Sequence, residues 1–366
     1  MTGLRRRLLA VAVGLTLLLG AEGVARCFPD PSPPVRGIVL RPHPTRIWTL
    51  GEPPEEPGHP PNYLLTSQGN RHPALPAPPG SPLVLTTGDS SIFGDGLRDG
   101  QTLHDVLQAG LAARGVPARV ETIAVPGHST LQTRATLDEV GWSMSPTLLV
   151  VGNLWSDSNL DAFRDADLLA AVGGAIGRAE GILVKSMFFR QLRRGLNQAM
   201  GKPSSRKIAW PTPGATGVRR VPIADYVANL EAMFDEAGRR GVGVVVLGLA
   251  NAPMVRDGLS SAQEWSPYVQ VQAAVAAAHG VPRVDALAVY RQSGLGARAL
   301  FQDELHPSAA ATRFLAEAVA AAILEAGWPT GVPLPRSAAP ITPPPDPFDG
   351  KGVLGEKSVQ LDVLDG

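Results

Sequence analysis

The alternation of apolar and amphipathic segments predicts an α/β protein, a three-layer α/β/α sandwich around a parallel sheet of five strands. Three observations carry this expectation. From Pro82 onward, short apolar runs alternate with helix-length amphipathic stretches, the pattern of βαβ units with helices on both faces of a sheet. Gly115, Gly241 and Gly280 stand where three of those helices would end, as residues that accept a left-handed backbone do. Finally, the first apolar run, Leu83-Val84-Leu85, leads into Gly88-Asp89-Ser90. That placement lifts a serine to the carboxyl edge of the sheet, where open α/β folds bind their ligands.

Residues 1–26 precede the body. Arg5-Arg6-Arg7 is followed by the uncharged apolar run Leu8 to Ala21, and basic residues before an apolar stretch mark a segment for export. The run is short for a spanning helix, which needs roughly 20 residues. Two readings stay open. Cleavage near Gly23-Val24-Ala25 would release a secreted or periplasmic protein. Continuation through Glu22 to Val24 would leave an anchor with its arginines in the cytoplasm. The anchor is preferred, which makes the chain a single-pass protein of the cell membrane with its body outside the cytoplasm.

Residues 27–80 form a proline-rich extension, with Pro29, Pro31, Pro33 and Pro34 early and Pro53, Pro54, Pro57, Pro60 and Pro61 later. Proline removes a donor and fixes φ, so this stretch is expected to lie extended over the surface. Residues 62–71 (NYLLTSQGNR) have enough apolar content to pack on the body. In the body, 81–328, strands are expected at 82–87, 119–125, 147–152, 242–249 and 282–286. Helices are expected at 102–114, 130–141, 223–240, 266–279 and 308–326. An insertion, 153–221, breaks the rhythm. Within it Lys185 to Met200 reads as a basic amphipathic helix, its face either solvated or turned to lipid headgroups or a polyanion. The proline-rich tail, 329–366, is expected to be disordered.

Composition narrows the function. The 366 residues carry 33 basic and 33 acidic side chains, so no charge excess points to nucleic acid. Cys27 is the single cysteine, which excludes an intrachain disulfide and a cysteine metal site. No His and carboxylate spacing suggests a metal, and no cofactor is expected.

A serine nucleophile needs a base within reach, and the base needs an orienting group. In Phe301-Gln302-Asp303-Glu304-Leu305-His306-Pro307 an acid stands three residues before a histidine, just ahead of the last helix. Donors for a developing oxyanion come from the ends of the next two strands: the Gly127 N–H and the Asn153 side-chain amide. Each motif alone also fits ordinary turn chemistry. Their order, each after a successive strand or before the final helix, is what favours a catalytic set. His128 is expected to face water, and His104 and His279 to lie at the surface or half-buried on their helices.

Gly88-Asp89-Ser90, Gly127, Gly152-Asn153 and Asp303-x-x-His306 resemble the four blocks of the SGNH/GDSL hydrolase family. The resemblance spans roughly residues 62–327 and extends to Arg219-Arg-Val-Pro222. It implies a flavodoxin-like sheet, Ser90 as nucleophile, His306 as general base and Asp303 as its orienting acid. It also implies an oxyanion hole of the Ser90 and Gly127 N–H groups and the Asn153 side chain. One departure stands out: the family commonly has Asp directly after the asparagine, and here that residue is Leu154, with Asp157-Ser158-Asn159 following. The resulting expectation is an exported serine esterase that cleaves a small-molecule or glycan carboxylic ester through an acyl-enzyme on Ser90. The alternatives are an O-acyltransferase acting on a cell-envelope polysaccharide, or a non-catalytic envelope protein on the same fold.

Overall fold

The computed structural model describes residues 2–28, 38–53, 63–174, 186–189, 191–192, 216–331, 333–350 and 352–353. Helix α1 (Thr2–Ala25) runs on past the apolar stretch, and its segment Arg5–Ala25 is long and apolar enough to cross a membrane. Glu22, near its end, accepts hydrogen bonds from Ser186 Oγ at 2.7 Å and from the Met187 and Phe188 N–H groups. The extension then forms an antiparallel hairpin, β1 (Leu40–His43) and β2 (Ile47–Leu50). It is tied down by Tyr63, whose hydroxyl accepts from Val39 N and donates to Gly51 O. Arg71, buried, donates to the Phe93, Gly94 and Leu97 carbonyls. The segment 63–71 thus packs on the body.

The body opens with β3 (Leu83–Gly88), the single turn α2 (Ser90–Phe93), α3 (Leu103–Ala113), β4 (Arg119–Thr122), α4 (Thr130–Glu139) and β5 (Leu148–Gly152). Then come α5 (Trp155–Ser158), β6 (Leu160–Asp161), α6 (Asp165–Gly173), β7 (Thr216–Arg219), α7 (Ile223–Arg240) and β8 (Gly243–Gly248). The chain continues through α8 (Ala252–Asp257), α9 (Ser266–Ala278), β9 (Arg283–Asp285), α10 (Ala286–Gln292), α11 (Ala297–Leu300), α12 (Ala309–Glu325) and β10 (Gly352–Val353). The central sheet has the order β4-β3-β5-β8-β9 with every pairing parallel. Numbered by appearance, that is 2-1-3-4-5, the flavodoxin-like order, whose direction reverses between the first and third strands. The five expected strands and five expected helices are all present. Where β4 ends, the chain keeps bonding to β3 through Ile123 N to Thr86 O and Val125 N to Gly88 O.

Every residue of β3, β5 and β8 is buried, because helices cover both faces and no strand has a wet side. α3 packs on α12, whereas α4, α7 and α9 pack in succession. Right-handed crossovers require this, since the chain steps one way from β3 to β4 and the other way from β4 to β5. The N-termini are capped by side chains, Thr102 for α3 and Ser308 for α12, while Gly241 closes α7 at φ +70°. These local signals are why the boundaries were readable.

Two features differ from the sequence expectation, and a third expectation, the basic helix, is met where it is described. The insertion contributes a three-stranded antiparallel sheet, β6-β7-β10, whose edge strand comes from the tail. Of the expected basic helix, residues 187–189 and 191–192 are helical and the remainder lies outside the described residues. The tail expected to be disordered lies against the body over 333–350. Pro333 O accepts from Val244 N, the Arg336 N–H donates to His279 O, and the Ile341 N–H donates to Glu231 at 3.0 Å. A proline-rich segment can do this because its carbonyls are free to accept and its φ angles are already restricted. Asp346 adds a charge contact, receiving Arg219 Nε at 2.7 Å.

Gly88 and Gly152 face each other across the β3–β5 register, and Ile92 fills the space that side chains at both would occupy. A Cβ at Gly88 would land on the Gly152 carbonyl oxygen. Gly88→Ala is therefore expected to destabilise the protein by about 2–3 kcal/mol, as overpacking of a rigid core does, read as a lowered midpoint in urea unfolding.

Candidate active site

β3 ends at Gly88, Asp89 caps the turn α2, and Ser90 is its first residue. The Asp89 side chain accepts from Ser91 N at 3.0 Å and Trp155 N at 3.3 Å. It therefore ties the end of β3 to the end of β5 across the switch point. Burial pushes its carboxyl up to about 6, against the hydrogen bond from Ser91 and the charge of His306. Ser90 itself is half-buried at the carboxyl edge of the sheet.

The 301–307 loop meets Ser90 from 216 residues away. His306 Nε2 lies 2.9 Å from Ser90 Oγ, and His306 Nδ1 lies 2.7 Å from Asp303 Oδ2. The other carboxylate oxygen, Oδ1, accepts from the Leu305 and His306 N–H groups, both at 2.7 Å. The carboxylate is thus fixed by its own loop. Partial burial pushes Asp303 up, but the hydrogen bonds from His306 and Leu305 prevail and hold it below the usual carboxylate range. An isolated bridge between Phe301 and Pro307 closes the loop, and Gln302 pins it to Asp95 O at 2.8 Å. Asp95 brings a second carboxylate near His306, Oδ2 lying 3.8 Å from His306 Nε2.

Gly127 sits after β4 at φ +76°, a conformation that favours glycine. No hydrogen-bond acceptor meets its N–H among the described residues, and the same holds for the Ser90 N–H. Asn153 follows β5 and is buried. Its Nδ2 donates to Thr133 Oγ1 at 3.0 Å and to His128 O at 3.3 Å, while Oδ1 has no partner. The Asn153 carbonyl receives the Tyr226 hydroxyl at 2.9 Å and Gln272 Nε2 at 3.1 Å, so the residue is held from α7 and α9. The structure brings together Ser90, His306 and Asp303 by direct hydrogen bonds. Gly127 and Asn153 stand on the neighbouring strand ends.

The histidine expectations are corrected. His128 is buried, with Nε2 bonded to Trp48 O at 2.9 Å, and burial drives its pKa down to about 3. His104 is also buried, and its pKa falls to about 4 for the same reason. His279 is buried against Phe234. The hairpin of the extension covers His128 through Trp48, and α7 covers His279 through Phe234. Leu154, at the departure from the family pattern, is buried and apolar. The acid three residues on, Asp157, accepts Thr130 N at 2.9 Å and Thr130 Oγ1 at 2.5 Å, anchoring the start of α4. Sequence reasoning placed Arg220 in the Arg219–Pro222 segment but gave it no role; it is paired with Asp165 by two bonds of 2.9 Å and donates to Gly127 O at 2.9 Å. Among the described residues, no group of three or more His, Cys, Asp or Glu is placed to hold a metal ion.

No family model and no curated protein matches the chain. Solved structures similar to it include a lipase/acylhydrolase from Enterococcus faecalis, 18% identical over 71% of this chain and 99% of that one, with a TM-score of 0.43. Others are an α/β hydrolase enzyme from the metagenome of Lake Arreo (18% identical, 68% of this chain and 96% of that one, TM-score 0.44) and an acetylxylan esterase from Geobacillus stearothermophilus (17%, 69% and 97%, TM-score 0.44).

Burial pushes the Asp157 carboxyl up to about 8, Asp165 adding to the effect while the Thr130 bonds and Arg220 oppose it. In the unfolded chain the same group ionises near 3.8. Between those values the folded chain holds a proton that the unfolded chain has lost, so stability falls as pH rises and levels off above the window. Asp89 at about 6, and His104 and His128, which the unfolded chain protonates near 6.5, have largely completed their own changes by about pH 7.5. Urea unfolding between about pH 7.5 and 9 is therefore expected to show declining stability in the parent and a flatter profile in Asp157→Asn.

Proposed function

We propose that the chain is a serine esterase of the SGNH/GDSL kind, cleaving a carboxylic ester through an acyl-enzyme on Ser90. The observation that carries the reading is the unbroken relay Ser90 Oγ–His306–Asp303, with bonds of 2.9 and 2.7 Å. It stands at the carboxyl edge of a parallel sheet, beside the switch point.

As Ser90 Oγ attacks the ester carbonyl, its proton passes to His306 Nε2. Asp303, kept ionised by its bonds, holds the Nδ1 proton and stabilises the imidazolium that forms. The carbonyl oxygen, now an anion, is met by the Ser90 and Gly127 N–H groups and by the Asn153 amide, which releases its longer bond, the 3.3 Å contact to His128 O. Collapse expels the alcohol, which takes the proton from His306. Water then attacks the acyl carbon with His306 again as base, releasing the acid and restoring the serine. Helix α1, with Arg5-Arg6-Arg7 near its start, supports tethering of this site to a membrane, with the body exported.

Ser90→Ala is expected to abolish turnover of aryl acetates and labelling by a serine-directed phosphonate. Asn153→Ala is expected to lower kcat about a hundredfold, the scale of one lost oxyanion donor, while the fold survives. Parent-like turnover in Asn153→Ala would remove that residue from the hole. A parent that takes no phosphonate at Ser90 would remove the reading altogether.

A further inference from the structure

Resting on the esterase reading, we infer that Trp48, on the hairpin of the proline-rich extension, is a positioning residue for the oxyanion hole. The indole Nε1–H donates to the Pro126 carbonyl at 3.1 Å. That carbonyl belongs to the peptide unit whose other end is the Gly127 N–H, one of the donors proposed above for the oxyanion. Trp48 thus sits directly behind one of the donors, in the chain indole N–H to carbonyl to peptide N–H to oxyanion. A bond accepted at the carbonyl end of a peptide polarises its N–H and strengthens the bond that N–H makes, by about 10–30% per bond in condensed phases.

The same residue holds the loop in two further ways. Its backbone carbonyl receives His128 Nε2 at 2.9 Å, so the residue after Gly127 is tied to β2 as well. Its ring lies 5.3 Å from the guanidinium of Arg220, whose Nη2 donates to Gly127 O. The two peptide units flanking the Gly127 Cα are therefore both gripped, one by Trp48 and one by Arg220 resting on Trp48. Neighbouring contacts have the same direction: Gln132 Nε2, from the first turn of α4, donates to Arg46 O at 2.9 Å. Trp48 is 2% exposed. It follows Ile47, a β-branched residue at φ +63°, a conformation that costs about 1–3 kcal/mol and persists only where the surroundings enforce it. The extension is accordingly part of the active site and not a connector to it.

The test compares the full-length parent with Trp48→Phe, which keeps an aromatic ring and deletes the donor, and with Trp142→Phe as a control tryptophan remote from the loop. The readouts are kcat and KM for an aryl acetate and Ki for a trifluoromethyl ketone, which forms a tetrahedral adduct. For Trp48→Phe, kcat is expected to fall and Ki to rise about tenfold each, with KM within about twofold, because only the charged oxygen feels the donor. Trp142→Phe should match the parent in all three. Should Trp48→Phe not fold, 3-benzothienylalanine at position 48 keeps both rings, lacks only the N–H, and is expected to give the same split. Parent-like kcat and Ki in the donor-deleted protein would overturn the inference while leaving the esterase intact. Absence of Ser90-dependent turnover in the parent would overturn both together.

Discussion

Gly88 and Gly152, paired across β3 and β5, fix where the chain leaves the sheet on either side of the switch point. With no side chain at either position, Ile92 fits against both backbones, so α2 is drawn down onto the strand ends. Ser90 is then held at the edge and Asn153 emerges beside it on the next strand. Asp89, bonding forward to Ser91 and sideways to Trp155, locks the two exits together. The position of the 301–307 loop, anchored by Gln302 on Asp95 O, completes the geometry from the far end of the chain. Any loss of register between these two strands would separate all the groups at once.

What the sequence discloses is what is encoded locally. β5 (LLVVG) and β8 (GVVVLG) read as continuous apolar runs because both of their faces are covered. Helix starts at Thr102 and Ser308 and the end at Gly241 carry their own capping chemistry. Asp303 and His306 lie three residues apart and are fixed by the loop's own N–H groups, so their pairing needs no distant information. Trp48 and Arg220 are different. They reach the Gly127 loop across 78 and 93 residues, from segments rich in proline or interrupted by insertion, where no periodicity constrains them. The burial of His128 has the same origin, since the cover is a hairpin whose strands, LRPH and IWTL, carry no regular alternation. The place of Asp157 is equally unreadable, because its partner Thr130 lies on a different crossover.

The non-core segments share one role. The hairpin β1–β2 supports the Gly127 loop, Arg71 holds the carbonyls that end α2 and follow it, and Arg220 with Asp165 braces the loop from the insertion side. A minimal five-stranded sheet with bare crossovers would carry Ser90 and the 301–307 loop, but the Gly127 loop would lack its supports. Support by buried charges is demanding: Asp165 and Arg220 are both fully paired, as burial of two charges requires.

Arg219, the neighbour of Arg220, is buried and bonded to Asp346, Ser158 O and Glu264 O, with its ring contacts to Tyr268 and Phe348. Two of those partners, Asp346 and Phe348, belong to the C-terminal segment. Shortening the protein before residue 346 would leave a guanidinium enclosed without its counter-charge, at a cost of about 3–5 kcal/mol. A boundary drawn at the end of α12, where the last core helix stops, would therefore cut through a folding requirement that sits twenty-one residues beyond it.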